Sequence, residues 1–141
     1  MSRTLAIIKP DAFGSGYAGK ILAQLEGRGF RVLSLRVTRL TRVQAGEFYA
    51  IHRGRPFYEE LVAFMSSGPC LPLALERNDA VSWLREVIGA TDPAEAAEGT
   101  VRKLYAESKG RNAIHASDSE ESAAREIGFF FAHAELVANS V

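Results

Sequence analysis

The first 38 residues read as a strand, an amphipathic helix and a second strand, a succession that few folds accommodate. Thr4 to Ile8 is a short apolar run. Pro10 ends it, because proline cannot donate to a sheet ladder, and Lys9 is left at the strand's C-terminal end. Gly14, Gly16 and Gly19 loosen the turn that follows. No G-x-x-x-x-G precedes Lys9 and no Ser or Thr follows it, so this is not a P-loop. Tyr17, Ile21 and Leu25 recur at four-residue spacing, with Ala18 and Leu22 beside them, as on one face of a helix. Gly27 and Gly29 end it. From Val32 to Thr38 the residues alternate: Leu33, Leu35 and Val37 face one way, Ser34, Arg36 and Thr38 the other, which predicts a half-buried strand. A right-handed crossover makes the two strands parallel.

Thr41 to Gln44 is a capping box that opens a helix through about Ile51. Pro56 suits the first position of the next helix, whose apolar stripe is Phe57, Leu61, Phe64 and Met65; Ser67-Gly68-Pro69 terminates it. Cys70 to Leu75 is almost wholly apolar, as a buried central strand is. Asn78 is expected to cap a helix in which Ala80, Leu84, Val87 and Ile88 share a face, and Gly89 ends it. The 23 residues from 90 to 112 exceed an ordinary connection, which marks them as functional, with a short helix expected near Val101 to Glu107. A short strand at Ala113 and Ile114 leads to Ser117-x-x-Glu120, a second capping box. The last helix is expected to start there and to hold Ala123, Ala124, Glu126 and Ile127. The run Phe129-Phe130-Phe131 is expected under the sheet or at a subunit contact. With the capped insertions removed the order is βαββαβ, that of the ferredoxin-like α+β fold: a four-stranded antiparallel sheet flanked by helices. The apolar third strand is expected between the first two, antiparallel to both.

At 141 residues the chain has the length of one domain, 1–141, able to bury a core without staples. Seventeen basic residues balance seventeen acidic ones, and no aromatic signature of an RNA-binding sheet is present, so nucleic acid is not an expected partner. The one cysteine, Cys70, lies in an apolar run as a buried thiol does, in keeping with a reducing compartment. Too few apolar residues precede Lys9 for a signal peptide, and no run approaches the roughly 18 of a membrane span. A cytoplasmic protein away from membranes is expected.

The chemistry gathers around Asn112-Ala113-Ile114-His115-Ala116-Ser117-Asp118. His115 falls at the end of a short strand and, on the capping-box reading, just before a helix N-terminus, a place that favours anions. Lys9, Arg85 and Arg102 supply the positive charge that phosphates need; arginine binds them bidentately, lysine as a compact charge. No pair of histidines and no carboxylate cluster suggests a metal cage built from side chains. Taken singly, each of these residues has a plainer reading as a solvated charge or a histidine in a turn.

The residues Asn112 to Asp118 resemble the active-site signature N-x-x-H-[GA]-S-D of the nucleoside diphosphate kinases. Ile8-Lys9-Pro10-Asp11 is similar to that family's opening strand motif. Phe48-Tyr49 and Arg55-Pro56-Phe57-Tyr58 resemble its nucleotide-gripping helix pair, and Met65-Ser66-Ser67-Gly68-Pro69 the turn into its central strand. Gly89-Ala90-Thr91-Asp92-Pro93 and Gly99-Thr100-Val101-Arg102 resemble its long loop. The landmarks keep family order across essentially the whole chain.

The resemblance implies ping-pong transfer of the γ-phosphate of a nucleoside triphosphate to a nucleoside diphosphate through a phosphohistidine at His115, with broad base tolerance. By the same resemblance Lys9 touches phosphate and ribose, and Asn112 the ribose 3′-hydroxyl. Arg85, Thr91 and Arg102 hold phosphates, and Phe57 stacks on the base with Leu61 beside it. Tyr49 and Glu126 support the histidine, backed by Ser117. Mg²⁺ is expected to arrive on the nucleotide phosphates, and a homo-oligomer built from a dimer, a tetramer or hexamer, is implied. Arg85 and Arg102 are expected to act on phosphate charge and not on folding. Lys103-Leu104-Tyr105 departs from the small residue and acid that often follow the family's loop arginine.

Overall fold

The computed structural model describes residues 1–140. Four strands, β1 (Ser2–Ile8), β2 (Arg31–Leu35), β3 (Leu71–Arg77) and β4 (Ile114–Ala116), form one sheet in the order β2-β3-β1-β4. β3 pairs antiparallel with both β1 and β2, and β4 pairs antiparallel with the other side of β1. The third strand thus lies between the first two, as the apolar run 70–75 required. β1 and β3 are apolar on both faces because both faces are covered. Leu5 and Ile7 look toward one cluster, Ala6 and Ile8 toward the other.

Against the Ala6–Ile8 face pack α2 (Ala18–Gly27), through Ile21 and Leu25, and α5 (Ala80–Ile88), through Leu84, Val87 and Ile88. Against the Leu5–Ile7 face pack α3 (Arg42–Phe48), α4 (Tyr58–Met65) and α7 (Glu120–Phe130), through Phe48, Met65, Ile127 and Phe130. Each fully buried side chain of this size contributes about 1.5–3 kcal/mol.

Several expectations change in detail. The turn after Lys9 holds a one-turn helix, α1 (Pro10–Gly14), and a further helix, α8 (His133–Asn139), follows α7 and packs Leu136 into the core. The strand expected from Val32 to Thr38 ends at Leu35, leaving an isolated bridge from Thr38 to Cys70. A register shift between Val32 and Ser34 puts Leu35 opposite Leu73, on the face away from Leu33, and Val37 is 58% exposed. The alternation Leu33-Leu35-Val37 is broken by that extra residue, as a bulge breaks any period of two. The helix expected from Pro56 begins at Tyr58.

Asn78 is not the cap of α5. Asp79 holds that position at φ +51°, and the Oγ of Ser2 accepts the N–H of Ala80 at 2.8 Å. The capping box at Thr41–Gln44 is present with both reciprocal bonds, but the one read at Ser117–Glu120 is not. Ser119 caps α7 by accepting from the N–H of Ser122, which frees Ser117 for another partner. Phe130 and Phe131 are buried within the chain and only Phe129 is partly exposed, at 38%.

The long connection folds back on α5. Its short helix α6 (Val101–Tyr105) is capped by Thr100, and a Cβ on Gly89, at φ +89°, would stand 2.5 Å from the Thr100 hydroxyl. Only glycine admits that approach. Of the residues that depart from the family pattern, Tyr105 rests its ring on Tyr17 at 5.0 Å, while Lys103 and Leu104 are exposed.

Candidate active site

His115 is the middle residue of β4 and the partner of Ile7. Partners in an antiparallel pair share a face, so its ring points to the side of the sheet that carries α3 and α7. It is therefore set by the sheet and not by a helix N-terminus. Phe48 and Tyr49 meet the ring edge-on, at 5.3 and 5.8 Å between centroids. From α7, Glu126, 6% exposed, brings Oε1 to 2.7 Å from Nε2 of His115, and the hydroxyl of Ser117 donates to the same oxygen at 2.8 Å. A carboxylate only accepts hydrogen bonds, so Nε2 carries the proton and Nδ1 keeps its lone pair. Burial pushes the His115 pKa below its ordinary value. The bond to Glu126 opposes that shift, and Lys9 and Arg102 add to it. The ring is a neutral base with its free nitrogen defined.

The cations surround this ring at different depths. Lys9 is 8% exposed, and its Nζ donates to Oδ1 of Asn112 at 2.8 Å. The Nδ2 of Asn112 donates to the carbonyl of Thr91 at 3.3 Å, so Lys9, Asn112 and Thr91 form one chain of contacts. Burial, and next Arg102, lower the Lys9 pKa to about 8, while Asp11 pulls it up. Arg85 donates to the carbonyl of Ala116 at 3.3 Å. Arg102 donates to the carbonyls of Ile114 at 2.8 Å and Gly89 at 3.0 Å. The two arginines therefore hold the carbonyls on either side of His115. Arg102 does not sit on an open polar surface: it is 5% exposed, and burial followed by Arg85 lowers its pKa to about 10. These bonds tie it to the fold, which corrects the expectation that Arg102 acts on phosphate charge and not on folding.

Tyr49 meets His115 through its ring and not through its hydroxyl. Its hydroxyl is buried without a hydrogen-bond partner among the described residues, and burial raises its pKa. Phe57, 44% exposed at the start of α4, and Leu61, half-buried, stand apart from this group. His52 links Phe57 to it. Its ring stacks at 6.3 Å on Tyr49 and meets Phe57 at 5.2 Å.

A pocket of about 150 Å³ is lined by Phe48, Tyr49, His52, Arg85, His115, Asp118 and Glu126, among others. Ligand sites for whole small molecules run about 300–1,000 Å³, so this space suits the end of a substrate. A larger cavity, about 580 Å³, lies elsewhere, between the start of β1 and helices α7 and α8, and none of the expected site residues lines it. Sequence reasoning missed His52, which carries no motif of its own. It also missed Ala113, at φ +75°, an alanine where glycine is usual. With the N–H of Ile114 bonded to the carbonyl of Asn112 at 2.9 Å, residues 112–114 form a γ-turn, and a non-glycine residue held so costs on the order of 1–3 kcal/mol.

A neutral nucleophile inside fixed positive charge is the arrangement of a group-transfer enzyme acting on phosphate, where positioning and charge neutralisation do most of the catalysis. Comparison with known proteins narrows that class. The family model for nucleoside diphosphate kinase matches residues 2–136. A nucleoside diphosphate kinase of Chlorobium luteolum is 62% identical over 137 residues, 97% of this chain and 98% of that protein. One from Sorangium cellulosum is 57% identical over 96% of this chain and 94% of its own length. Among solved structures, the Aquifex aeolicus nucleoside diphosphate kinase superposes with a TM-score of 0.93 at 50% identity, covering 95% of this chain and 97% of that one. The enzyme from Halobacterium salinarum, in complex with CDP, gives 0.90 at 38% identity, covering 95% and 90%. The chain belongs to the nucleoside diphosphate kinase family, and it is a phosphotransferase.

Proposed function

We propose that the phosphate passes through Nδ1 of His115. The observation that carries this reading is the 2.7 Å contact between Nε2 and Glu126, which fixes the ring's tautomer and leaves Nδ1 as the nucleophile. Nδ1 attacks the γ-phosphorus of a nucleoside triphosphate. The N–P bond forms as the bond from that phosphorus to the bridging oxygen breaks, and the nucleoside diphosphate leaves with the electron pair. A second diphosphate then takes the phosphoryl group from the ring by the reverse step, which restores the lone pair. Glu126, bonded to Ser117, stabilises the positive charge the ring gains in between.

Lys9, Arg85 and Arg102 neutralise the phosphates with Thr91, and Lys9 and Asn112 meet the ribose. The Lys9–Asn112 bond supports this pairing, because it orients one donor group and one amide together and leaves lysine two further N–H donors. Phe57, with Leu61 beside it, offers the base an aromatic face without a group to read its edge, which supports broad base tolerance. Among the described residues no group of three His, Cys, Asp or Glu side chains could hold a metal ion, and the side chains nearest the phosphates are cationic. Cationic side chains offer Mg²⁺ no ligand, so the ion would be carried on the oxygens of the nucleotide phosphates, where it would neutralise charge. No helix among the described residues is long and apolar enough to cross a membrane. A buried free thiol at Cys70 supports a cytoplasmic setting. A homo-oligomer built from a dimer is supported by the exposed Leu35 at the end of the edge strand β2 and the exposed Val37 just beyond it, since such edges invite a partner.

Incubation with [γ-³²P]ATP should give an acid-labile label that a different nucleoside diphosphate discharges. His115→Ala should take no label, and a variant that still exchanges phosphate would refute the relay.

A further inference from the structure

Asp11 is an acid in the first turn of α1, where a carboxylate ordinarily stays in water. Here it is 6% exposed. Its Oδ2 accepts the N–H of Ala113 at 3.1 Å, and the N–H of Lys9 donates to the carbonyl of Ala113 at 2.8 Å. Both polar backbone groups of Ala113 are thus held by the corner between β1 and α1. Ala113 and Asp79 are the two non-glycine residues at positive φ among the described residues. Asp tolerates that region, whereas an alanine there crowds its own Cβ.

The position of that alanine matters for the chemistry. On one side of it stands Asn112, whose Oδ1 takes the Nζ of Lys9. On the other side Ile114 enters β4 opposite Ile8, which puts His115 opposite Ile7. An Ala113 that returned to negative φ would swing Asn112 away from Lys9 and disturb the register that places His115.

We propose that Asp11 is a positioning residue for phosphoryl transfer: by holding Ala113 at positive φ it fixes Asn112 and His115 relative to Lys9. This rests on His115 being the phosphate acceptor. A second feature goes beyond a backbone clamp. The other oxygen, Oδ1, is buried with no hydrogen-bond partner among the described residues, and the negative charge favours the ammonium of Lys9 against burial and Arg102. One oxygen holds the turn, and the charge keeps Lys9 cationic.

Four proteins test this: wild type, Asp11→Ala, Asp11→Ala with Ala113→Gly, and Asp11→Asn, each checked for folding by circular dichroism. Asp11→Ala should slow phosphorylation of His115 by roughly ten- to a hundredfold, the scale of a misplaced reacting group. Adding Ala113→Gly should restore most of that loss, because glycine takes positive φ unaided. Asp11→Asn keeps an oxygen for the Ala113 N–H, so at pH 7 it should label faster than Asp11→Ala and slower than wild type by the share of Lys9 that loses its proton. Its alkaline limb of kcat/KM should move to lower pH. The charged groups facing Lys9 are Arg102 from α6 and Asp11 from α1, the neutral titratable group is His115 on β4, and only Asp11 changes in that variant. An Asp11→Ala defect untouched by Ala113→Gly, or Asp11→Ala labelling at the wild-type rate, would overturn the proposal. A wild-type protein that takes no acid-labile label would refute the acceptor role of His115 and this proposal with it.

Discussion

Replacing Arg102 by alanine should damage both stability and turnover, and the structure sets the size of each loss. The guanidinium satisfies two carbonyls, of Gly89 and Ile114, at 3.0 and 2.8 Å. Leaving each one unpaired in the interior costs about 1–3 kcal/mol. Losing the two buried methylenes beyond Cβ adds about 1.6 kcal/mol. Against this, burial lowers the Arg102 pKa from 12.5 to about 10, so removing the charge returns about 3 kcal/mol. The balance is a loss of about 1–5 kcal/mol, which lowers the Tm of a domain this size by roughly 2–20 °C. Turnover should fall about 10²- to 10³-fold, the usual effect of removing a preorganised charge from a transition state. Differential scanning calorimetry and a coupled assay with a triphosphate donor and a different diphosphate acceptor measure the two losses. Turnover lost at unchanged Tm would show that the carbonyl bonds carry no weight. A lowered Tm with near-normal turnover would remove Arg102 from phosphate binding.

The pH dependence of kcat/KM should be bell-shaped. The acid limb lies below about 6.5, where His115, its pKa depressed by burial, takes the proton it must lack to attack, and the alkaline limb lies near 8, where Lys9 loses its charge. The alkaline limb of kcat should lie higher, because bound phosphates favour the ammonium; identical alkaline limbs would separate Lys9 from the phosphates. The depressed His115 pKa also means that the unfolded chain binds more protons as pH falls through about 6.5. Stability should therefore drop there in wild type and drop less in His115→Ala, as urea unfolding would show. Ser117→Ala removes one of the two bonds to Oε1 of Glu126 and should lower turnover by about tenfold; unchanged turnover would make Ser117 a bystander. ADP, GDP, CDP, UDP and dTDP should be phosphorylated with similar kcat/KM and a 2′,3′-dideoxy diphosphate far more poorly. Strong choice of one base, or equal use of the dideoxy compound, would contradict the roles of Phe57 and Asn112.

The place of the third strand was legible because burial on both faces leaves an unmistakable mark: Leu5 to Ile8 and the run 70–75 are apolar without interruption. What failed was decided by single residues. The bulge between Val32 and Ser34 has no sequence signature, so the strand read on to Thr38. Ser117 and Ser119 can each cap a helix, and S-x-x-E selects the wrong one; Ser117 is spent on Glu126, a contact across nine residues that local pattern cannot weigh. Within the site, His115, Lys9, Asn112 and Arg102 stand in the family's motifs, whereas Arg85 and Glu126 lie outside them and were given their places only through the family resemblance. The distances do not follow from the motifs, since the bonds from Lys9 to Asn112 and from Asp11 to Ala113 join residues about a hundred positions apart. An alanine at positive φ is legible only once the chain is folded, because composition points to glycine for that conformation.

The account turns on which ring nitrogen of His115 carries the phosphate. Wild-type protein phosphorylated by ATP, unfolded at alkaline pH to preserve the acid-labile bond, can be read by ³¹P and ¹⁵N NMR. With Nε2 held by Glu126 at 2.7 Å, the phosphorus should be found on Nδ1 of His115 alone. Phosphorus on Nε2, or on another residue while transfer between nucleotides continues, would contradict it.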